Sequence, residues 1–207
     1  MSSISSASRW RAGPARLAGL AVGLFLFGLG EGLVVLADLG SSPWTVLAQG
    51  LEAQTALSVG ISTLLISFVV LLAWIPLRQR PGLGTIANAI VIGLMIDATV
   101  AALPGDSPLP VRTVELLVGI GLVGLGSGFY LAAALGPGPR DGLMTGLQRT
   151  TGRPVSLVRG CIEVSALALG FLLGGVAGVG TLAFALLIGP AVALGLRLRG
   201  VERAGEL

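Results

Sequence analysis

The chain has 207 residues, of which 54% are hydrophobic and 11% are charged, whereas about 25% are charged in a typical soluble domain. Together with a mean hydropathy of +0.93, this composition excludes an ordinary soluble protein and indicates an integral membrane protein. The net charge of +3 does not indicate nucleic-acid binding, because the arginines lie at the termini and beside the apolar runs. The sequence contains no histidine, which excludes Ser-His hydrolysis and His-built zinc sites, so we expect no enzyme, metal or cofactor.

Six mostly apolar runs of about 20 residues are long enough to cross a bilayer as α-helices. We therefore predict an all-α, polytopic membrane protein with six transmembrane helices. In chain order, the predicted spans are 17–37, 58–77, 84–103, 113–134, 155–173 and 180–197. The first run ends without a small-residue cleavage pattern, so we interpret it as an uncleaved span rather than a signal peptide.

The arginines predict the orientation of these spans. Twelve of the 13 fall on one side of the predicted bundle, which the positive-inside rule assigns to the cytoplasm, and only Arg112 falls on the other. Both termini are therefore expected in the cytoplasm. The arginines assigned to the cytoplasmic side are Arg9, Arg11, Arg16, Arg78, Arg80, Arg140, Arg149, Arg153, Arg159, Arg197, Arg199 and Arg203.

The two halves of the chain are related by an offset of 96 residues. Residues 39–93 align without gaps on 135–189, and 18 of these 55 positions are identical, against roughly one in ten expected from such a composition. Each copy holds three spans, an odd number, so the second copy must cross the membrane in the opposite sense. This predicts an inverted 3+3 repeat, as in secondary transporters, although a merely duplicated scaffold stays open. The predicted units are a cytoplasmic tail (1–15), membrane repeat 1 (16–103), membrane repeat 2 (112–198) and a second cytoplasmic tail (199–207).

A short amphipathic helix is predicted in each half, between its first two spans. The first begins at Ser42 as N-cap and Pro43 as first helical residue, and the second begins at Gly138 and Pro139. A length near 12 residues, about 18 Å, is too short to cross a 30 Å core. The two helices either lie flat at the membrane surfaces or re-enter, so that their N-termini face an interior cavity.

Acidic residues within the predicted spans mark candidate sites, since a charge at the bilayer centre costs about 2.5–3.5 kcal/mol. Glu163 lies four residues after Arg159, which favours an ion pair. Asp97 shares a helix face with Asn88, and both a substrate or proton site and a buried interhelical hydrogen bond remain open for it. Asp141 is either a ligand or a dipole partner of its helix. The candidate substrate-binding or coupling residues are Glu31, Thr45, Asn88, Asp97, Asp141, Arg159 and Glu163.

From 16 to 197 the chain resembles the YczE/YyaS/YitT family of small bacterial membrane proteins. The resemblance rests on Pro43-Trp44, Gln49-Gly50-Leu51, the stretches 76–88 and 92–97, Ile188-Gly189-Pro190 and, most specifically, the Gly-Pro-Gly-Pro-Arg-Asp-Gly stretch at 136–142. It implies a multi-pass protein of the bacterial plasma (inner) membrane and brings no settled biochemical activity. Relatives often carry Asp after the Pro-Trp pair, where this chain has Thr45, so the resemblance implies that only Asp141 of two acids is retained.

Two functions follow from these patterns. The first is a secondary transporter or exporter of a small organic solute, which inverted symmetry and intramembrane acids favour. The alternative is a non-transporting partner subunit that assists an assembly or biosynthetic complex, with its glycine-rich faces as docking surfaces. The expected partners are the lipid bilayer and a small solute but no nucleic acid, and the sequence leaves a homo-oligomer open.

Overall fold

The computed structural model describes residues 9–201, which form eight α-helices and no β-strand. The helices are α1 (Pro14–Ala37), α2 (Pro43–Gln54), α3 (Val59–Ala73), α4 (Leu83–Ala102), α5 (Leu109–Ala132), α6 (Pro139–Thr151), α7 (Val155–Leu172) and α8 (Val179–Leu198). The prediction of an all-helical fold is confirmed for these residues. Parts of the predicted tails 1–15 and 199–207, including Arg203, lie outside the described residues.

Within that part of the chain, α1, α4, α5, α7 and α8 are long and apolar enough to cross a membrane, and α2 and α3 satisfy the same test only as a pair bent by 114°. The spans therefore number five, or six if the bent pair is one span. The predicted span 58–77 is too long, because α3 has 15 residues and ends at Ala73, which gives it a length of about 22 Å. Pro76 disfavours helical geometry at the residue before it, and the chain turns over 74–78 instead.

Helices α1 and α5 pack along each other in antiparallel directions. Arg16, at the start of α1, donates two hydrogen bonds of 2.9 Å to carbonyls just beyond the end of α5. Arg112, which lies 96 residues later, makes the reciprocal bonds to carbonyls at the end of α1. Between these ends the helices approach closely through glycine, since a Cβ on Gly126 would lie 2.5 Å from the carbonyl oxygen of Gly23.

The helices divide into two groups of four. In the long-helix group, α1 contacts α4 and α5, and α5 contacts α8; in the short-helix group, α2 and α6 each contact both α3 and α7. The two groups meet chiefly where α3 packs on α4. The pair found 96 residues later, α7 and α8, barely touches. The two halves of the chain therefore have the same helix order, but this junction is packed in the first half and not in the second.

Two reciprocal contacts between the halves fix where the short helices begin. The amide of Gly84 donates to the carbonyl of Leu135 at 2.9 Å, and the amide of Gly180 donates to that of Leu39 at 2.7 Å. The Gly-x-Gly-Thr segment of each half thus docks on the Leu-Gly-x-x-Pro segment of the other half. Because that second segment leads directly into α2 or α6, the docking holds both short-helix N-termini in place.

Candidate functional site

A cavity of about 500 Å³ lies between the two helix groups, within the range of about 300–1,000 Å³ that is usual for small-molecule sites. All eight helices contribute to its lining, and the first turns of both α2 and α6 face it. The N-termini of the two short helices therefore face one common cavity. Of the predicted residues, those in the lining are Glu31, Ser42, Pro43, Asn88, Gly138, Pro139, Asp141, Arg159 and Glu163.

A chain of hydroxyl groups links the N-terminus of α2 to a buried carboxylate. Ser42 is the N-cap, as predicted, and its Oγ accepts from the amide of Thr45 at 3.3 Å. The two hydroxyls lie 2.8 Å apart, and that of Thr45 donates to Oε2 of Glu31 at 2.7 Å. Glu31 is 1% exposed, and its Oε1 has no hydrogen-bond partner among the described residues. The acid at this end of the cavity therefore comes from α1 and not from the position that Thr45 occupies.

The N-terminus of α6 has a carboxylate beside it but no cap. Asp141 accepts a hydrogen bond of 2.7 Å from the hydroxyl of Tyr130. The N-cap residue Gly138 provides no side-chain acceptor for the first-turn amides. Asn88 on α4 is 8% exposed, and its Oδ1 lies 3.4 Å from the position that a Cβ on Gly138 would occupy. Within residues 9–201 its amide group makes no hydrogen bond, so this group and the uncapped amides are available to a ligand.

Arg140 follows Pro139 in the first turn of α6, and its guanidinium lies over the ring of Trp44 at 5.4 Å from the centroid. Both side chains line the cavity. Among the described residues the ion pairs are Arg112–Asp38 and Arg159–Glu163, so Arg140 forms none. The positive-inside argument placed Arg140 in a loop, and the structure places it in the interior instead, where an unpaired charge is costly.

The predicted pair Arg159–Glu163 on α7 is confirmed, with a distance of 2.9 Å between Nε and Oε1. The side chain of Arg159 is 58% exposed and that of Glu163 is 33% exposed. Both residues also line the cavity, and they face the gap between α7 and α8. On the other side of this gap, a Cβ on Gly189 would meet no atom within 4 Å. The cavity is therefore open between these two helices.

Two predicted candidates lie outside the lining. Asp97 accepts from the hydroxyl of Ser58 at 2.6 Å and from the amide of Gly60 at 2.8 Å, so it binds the N-terminus of α3 to α4. Of the two alternatives left open for Asp97, the structure has the interhelical hydrogen bonds. Thr45 is 1% exposed and orients Glu31 instead of facing the cavity itself.

The offset of 96 contains a signal for the central residues that the sequence reasoning missed. Arg140 aligns with Trp44, and Asp141 aligns with Thr45. In the structure the aligned residues Arg140 and Trp44 contact each other. Tyr130 had no such signal, because its counterpart is Val34.

Comparison with known proteins places these residues in a wider group. Residues 14–197 match the profile of a family of unknown function, DUF6198. The chain belongs to this family. A relative from Haemophilus influenzae, named only as an uncharacterized protein, is 45% identical over 188 residues, which are 91% of this chain and 86% of the relative.

Two further relatives come from Bacillus subtilis (strain 168). The uncharacterized membrane protein YczE is 34% identical over 81% of this chain and 79% of its own length, and the uncharacterized protein YyaS is 28% identical over 78% and 82%. The resemblance to YczE and YyaS is thereby confirmed. No solved structure matches the chain. The description of YczE as a membrane protein and the long apolar helices of this chain agree on a membrane location.

Proposed function

We propose that the protein is a secondary transporter of a small organic solute and not an enzyme. One observation carries the proposal: a charged cavity of about 500 Å³ lies between two packed helix groups that meet at α3 and α4 but are separated at α7 and α8. A solute of metabolite size fits such a volume. Charged side chains inside a membrane protein cost free energy through desolvation, and binding of a solute that passes through the cavity would offset this cost.

The proposal includes an inverted 3+3 repeat. The helix bounds support this repeat. Both ends of α8 lie 96 residues after the corresponding ends of α4, and α6 starts 96 residues after α2 starts. The antiparallel packing of α1 on α5, with reciprocal bonds from Arg16 and Arg112, is what a twofold axis in the membrane plane would produce. In such a repeat the middle element of the first half is α2 together with α3, and the middle element of the second half is α6 together with α7.

In an inverted repeat, each half can adopt the conformation of the other half, which gives alternating access. Here α3 is closed on α4 while α7 is separated from α8. The opposite state would close α7 on α8 and separate α3 from α4, by rotation of the short-helix group against the long-helix group. The cavity would then open at the other face of the membrane.

We place the protein in the bacterial plasma membrane with both termini in the cytoplasm. Arg140 and Arg159 line the cavity and no longer count as loop arginines, but Arg149 and Arg153 are exposed beside the N-terminus of α7, and they still assign that side to the cytoplasm. We take the gap between α7 and α8 to open toward this side, so that the structure corresponds to an inward-facing state.

The test is solute flux into proteoliposomes that contain the purified full chain. A Cβ added at Gly189 or at Gly121 would meet no atom within 4 Å, but only Gly189 lines the cavity. We expect that Gly189→Trp fills the cavity and abolishes flux, whereas the matched control Gly121→Trp transports like the wild type. Equal flux in the two variants, or no flux of any solute by the wild type together with co-purification of a stoichiometric partner, would contradict transport and favour the partner-subunit alternative.

A further inference from the structure

The cavity has separate places for a negative and a positive group of one ligand. The anion side is formed by Arg140, the uncapped first turn of α6 and the amide of Asn88. A guanidinium without an ion pair matches a carboxylate bidentately, and the first-turn amides of a helix favour negative charge. Asn88 is more than nine-tenths buried, lines the cavity and makes no hydrogen bond within the described residues, so its amide group is available to the same ligand.

The cation side is formed by Glu31. One oxygen of its carboxylate is held by Thr45, and the other, Oε1, is buried and has no partner in the described part of the chain. Glu31 lines the cavity, so an ammonium group of a ligand, which has three donors, can bind its carboxylate after a small shift of the side chains that cover Oε1. Thr45 and Ser42 hold the carboxylate in a fixed orientation at this end of the cavity.

The lining favours a ligand that has both of these groups. Three carboxylates, Glu31, Asp141 and Glu163, line the cavity together with two guanidiniums, Arg140 and Arg159. A simple anion would pair Arg140 but leave Glu31 Oε1 without a partner, and a simple cation would do the reverse. A ligand that has one carboxylate and one amine pairs both Arg140 and Glu31 without adding net charge.

We infer that the transported solute is a small zwitterion of the amino-acid type, with its carboxylate bound by Arg140 and Asn88 and its amine bound by Glu31. This inference rests on the proposed function, since it names the substrate class of the same cavity. It does not assign the remainder of the solute, which would occupy the apolar part of the lining near Phe184 and Ile188.

The experiment measures thermal stabilisation of the detergent-purified full chain by the proteinogenic L-amino acids. The amino acid that stabilises most is then compared with its amide, which lacks the carboxylate, and with its N-acetyl derivative, which lacks the amine charge. We expect each analogue to bind about ten-fold or more weakly, since one charge-assisted hydrogen bond is lost. Arg140→Gln should abolish the preference for acid over amide, and Glu31→Gln the preference for amine over N-acetyl.

Matched controls come from the same two short helices. Arg149→Gln at the far end of α6 and Glu52→Gln at the far end of α2 should keep both preferences. Arg140→Lys keeps the charge but not the bidentate geometry, so it should fold and bind with intermediate affinity even if Arg140→Gln is unstable. The inference is overturned if no amino acid stabilises the protein, if simple carboxylates or amines stabilise it equally well, or if Arg140→Gln keeps the preference for the acid.

The two proposals can fail separately. Flux of a solute without a zwitterionic group, blocked by Gly189→Trp, would overturn the substrate class and leave transport standing. Amino-acid binding with the expected variant pattern, but without counterflow of that amino acid in proteoliposomes, would support the site and contradict transport.

Discussion

Removing the carboxylate of Asp97 should release the junction that is closed in this structure. Asp97 accepts two hydrogen bonds from the N-terminus of α3, from Ser58 at 2.6 Å and from Gly60 at 2.8 Å. The counterpart of Asp97 at the offset of 96 is Ala193, so the open junction between α7 and α8 has no equivalent bonds. Asp97→Ala would therefore make the two junctions chemically alike at this position.

The expected size of the effect follows from these two contacts. A hydrogen bond to a charged group contributes about 1.5–3 kcal/mol, and the N-terminal end of α3 adds a favourable dipole. In the open state Asp97 would be hydrated, so we take the low end for each bond, about 3 kcal/mol for the two. Because 1.4 kcal/mol corresponds to a factor of ten, the ratio of closed to open α3–α4 junctions should fall about 100-fold.

The assay is the distance between pairs of spin labels on exposed positions, measured in a Cys161→Ser background because Cys161 is free and exposed. One pair at Ile61 and Ala98 reports on α3 and α4, and its counterpart at Leu157 and Leu194 reports on α7 and α8. In Asp97→Ala we expect a new, longer population for the first pair and a new, shorter population for the second.

Two results would refute this reasoning. The first is an unchanged distribution for both pairs in a folded Asp97→Ala variant, which would mean that the two hydrogen bonds do not hold the junction. The second is a parallel broadening of both distributions, which indicates partial unfolding instead of a switch. Asp106→Ala, an exposed acid in the loop just after α4, is the matched control and should leave both pairs as in the wild type.

Two further predictions concern packing and the buried acid. Gly126→Leu should prevent folding, because a Cβ there would lie 2.5 Å from backbone atoms of α1 and overpacking costs about 3 kcal/mol. Its control, Gly121→Leu on the same helix, should give a normal yield of folded, monodisperse protein. Equal yields of the two variants would contradict the α1–α5 contact. Thr45→Asp should lower the melting temperature, since it places a second carboxylate next to Glu31, and the double variant Thr45→Asp, Glu31→Gln should recover most of the loss. No recovery would mean that charge repulsion is not the cause.

The fold was largely predictable because it is written in patterns that repeat along the chain. Apolar runs located the long helices, the Ser42-Pro43 pair located the start of α2, and the offset of 96 aligned the elements of the two halves. The length of α3 was mispredicted, because hydropathy does not register that the chain turns after Ala73. Besides the local effect of Pro76, a tertiary contact holds this turn, since the indole of Trp74 donates to the carbonyl of Pro139 at 3.0 Å.

The site was predictable in its acids but not in its central cation. An acid in an apolar run is conspicuous, so Glu31 and Glu163 were identified. Arg140 lies in the first turn of a short helix that the sequence left either at the membrane surface or in the interior, and only the folding of α6 into the interior gives it a functional position. For Asp97 the partners, Ser58 and Gly60, lie 39 and 37 residues away, and no periodicity within α4 points to them.

The distribution of glycine contacts indicates which parts move as units. Within the long-helix group, Gly23 and Gly126 bring α1 and α5 together, and a Cβ on Gly195 in α8 would lie 2.8 Å from the backbone of α5. Within the short-helix group, a Cβ on Gly50 would lie 2.5 Å from the carbonyl oxygen of Gly170. Contacts this close cannot slide without clashes, so α1 with α5 and α8 forms one stiff unit and α2 with α7 forms another.

Between the two groups, a close glycine contact occurs at the junction of α3 with α4 and is absent from the junction of α7 with α8. A Cβ on Gly93 in α4 would lie 2.5 Å from the carbonyl oxygen of Gly60 in α3, whereas Gly189 in α8 faces open space and the counterpart of Gly60 is Ser156. Closing α7 on α8 must therefore accommodate a serine side chain where α3 presents none. The two closed states then differ in energy through both Ser156 and Asp97, and Ser156→Gly combined with Asp97→Ala should bring them closest to equal populations in the spin-label assay.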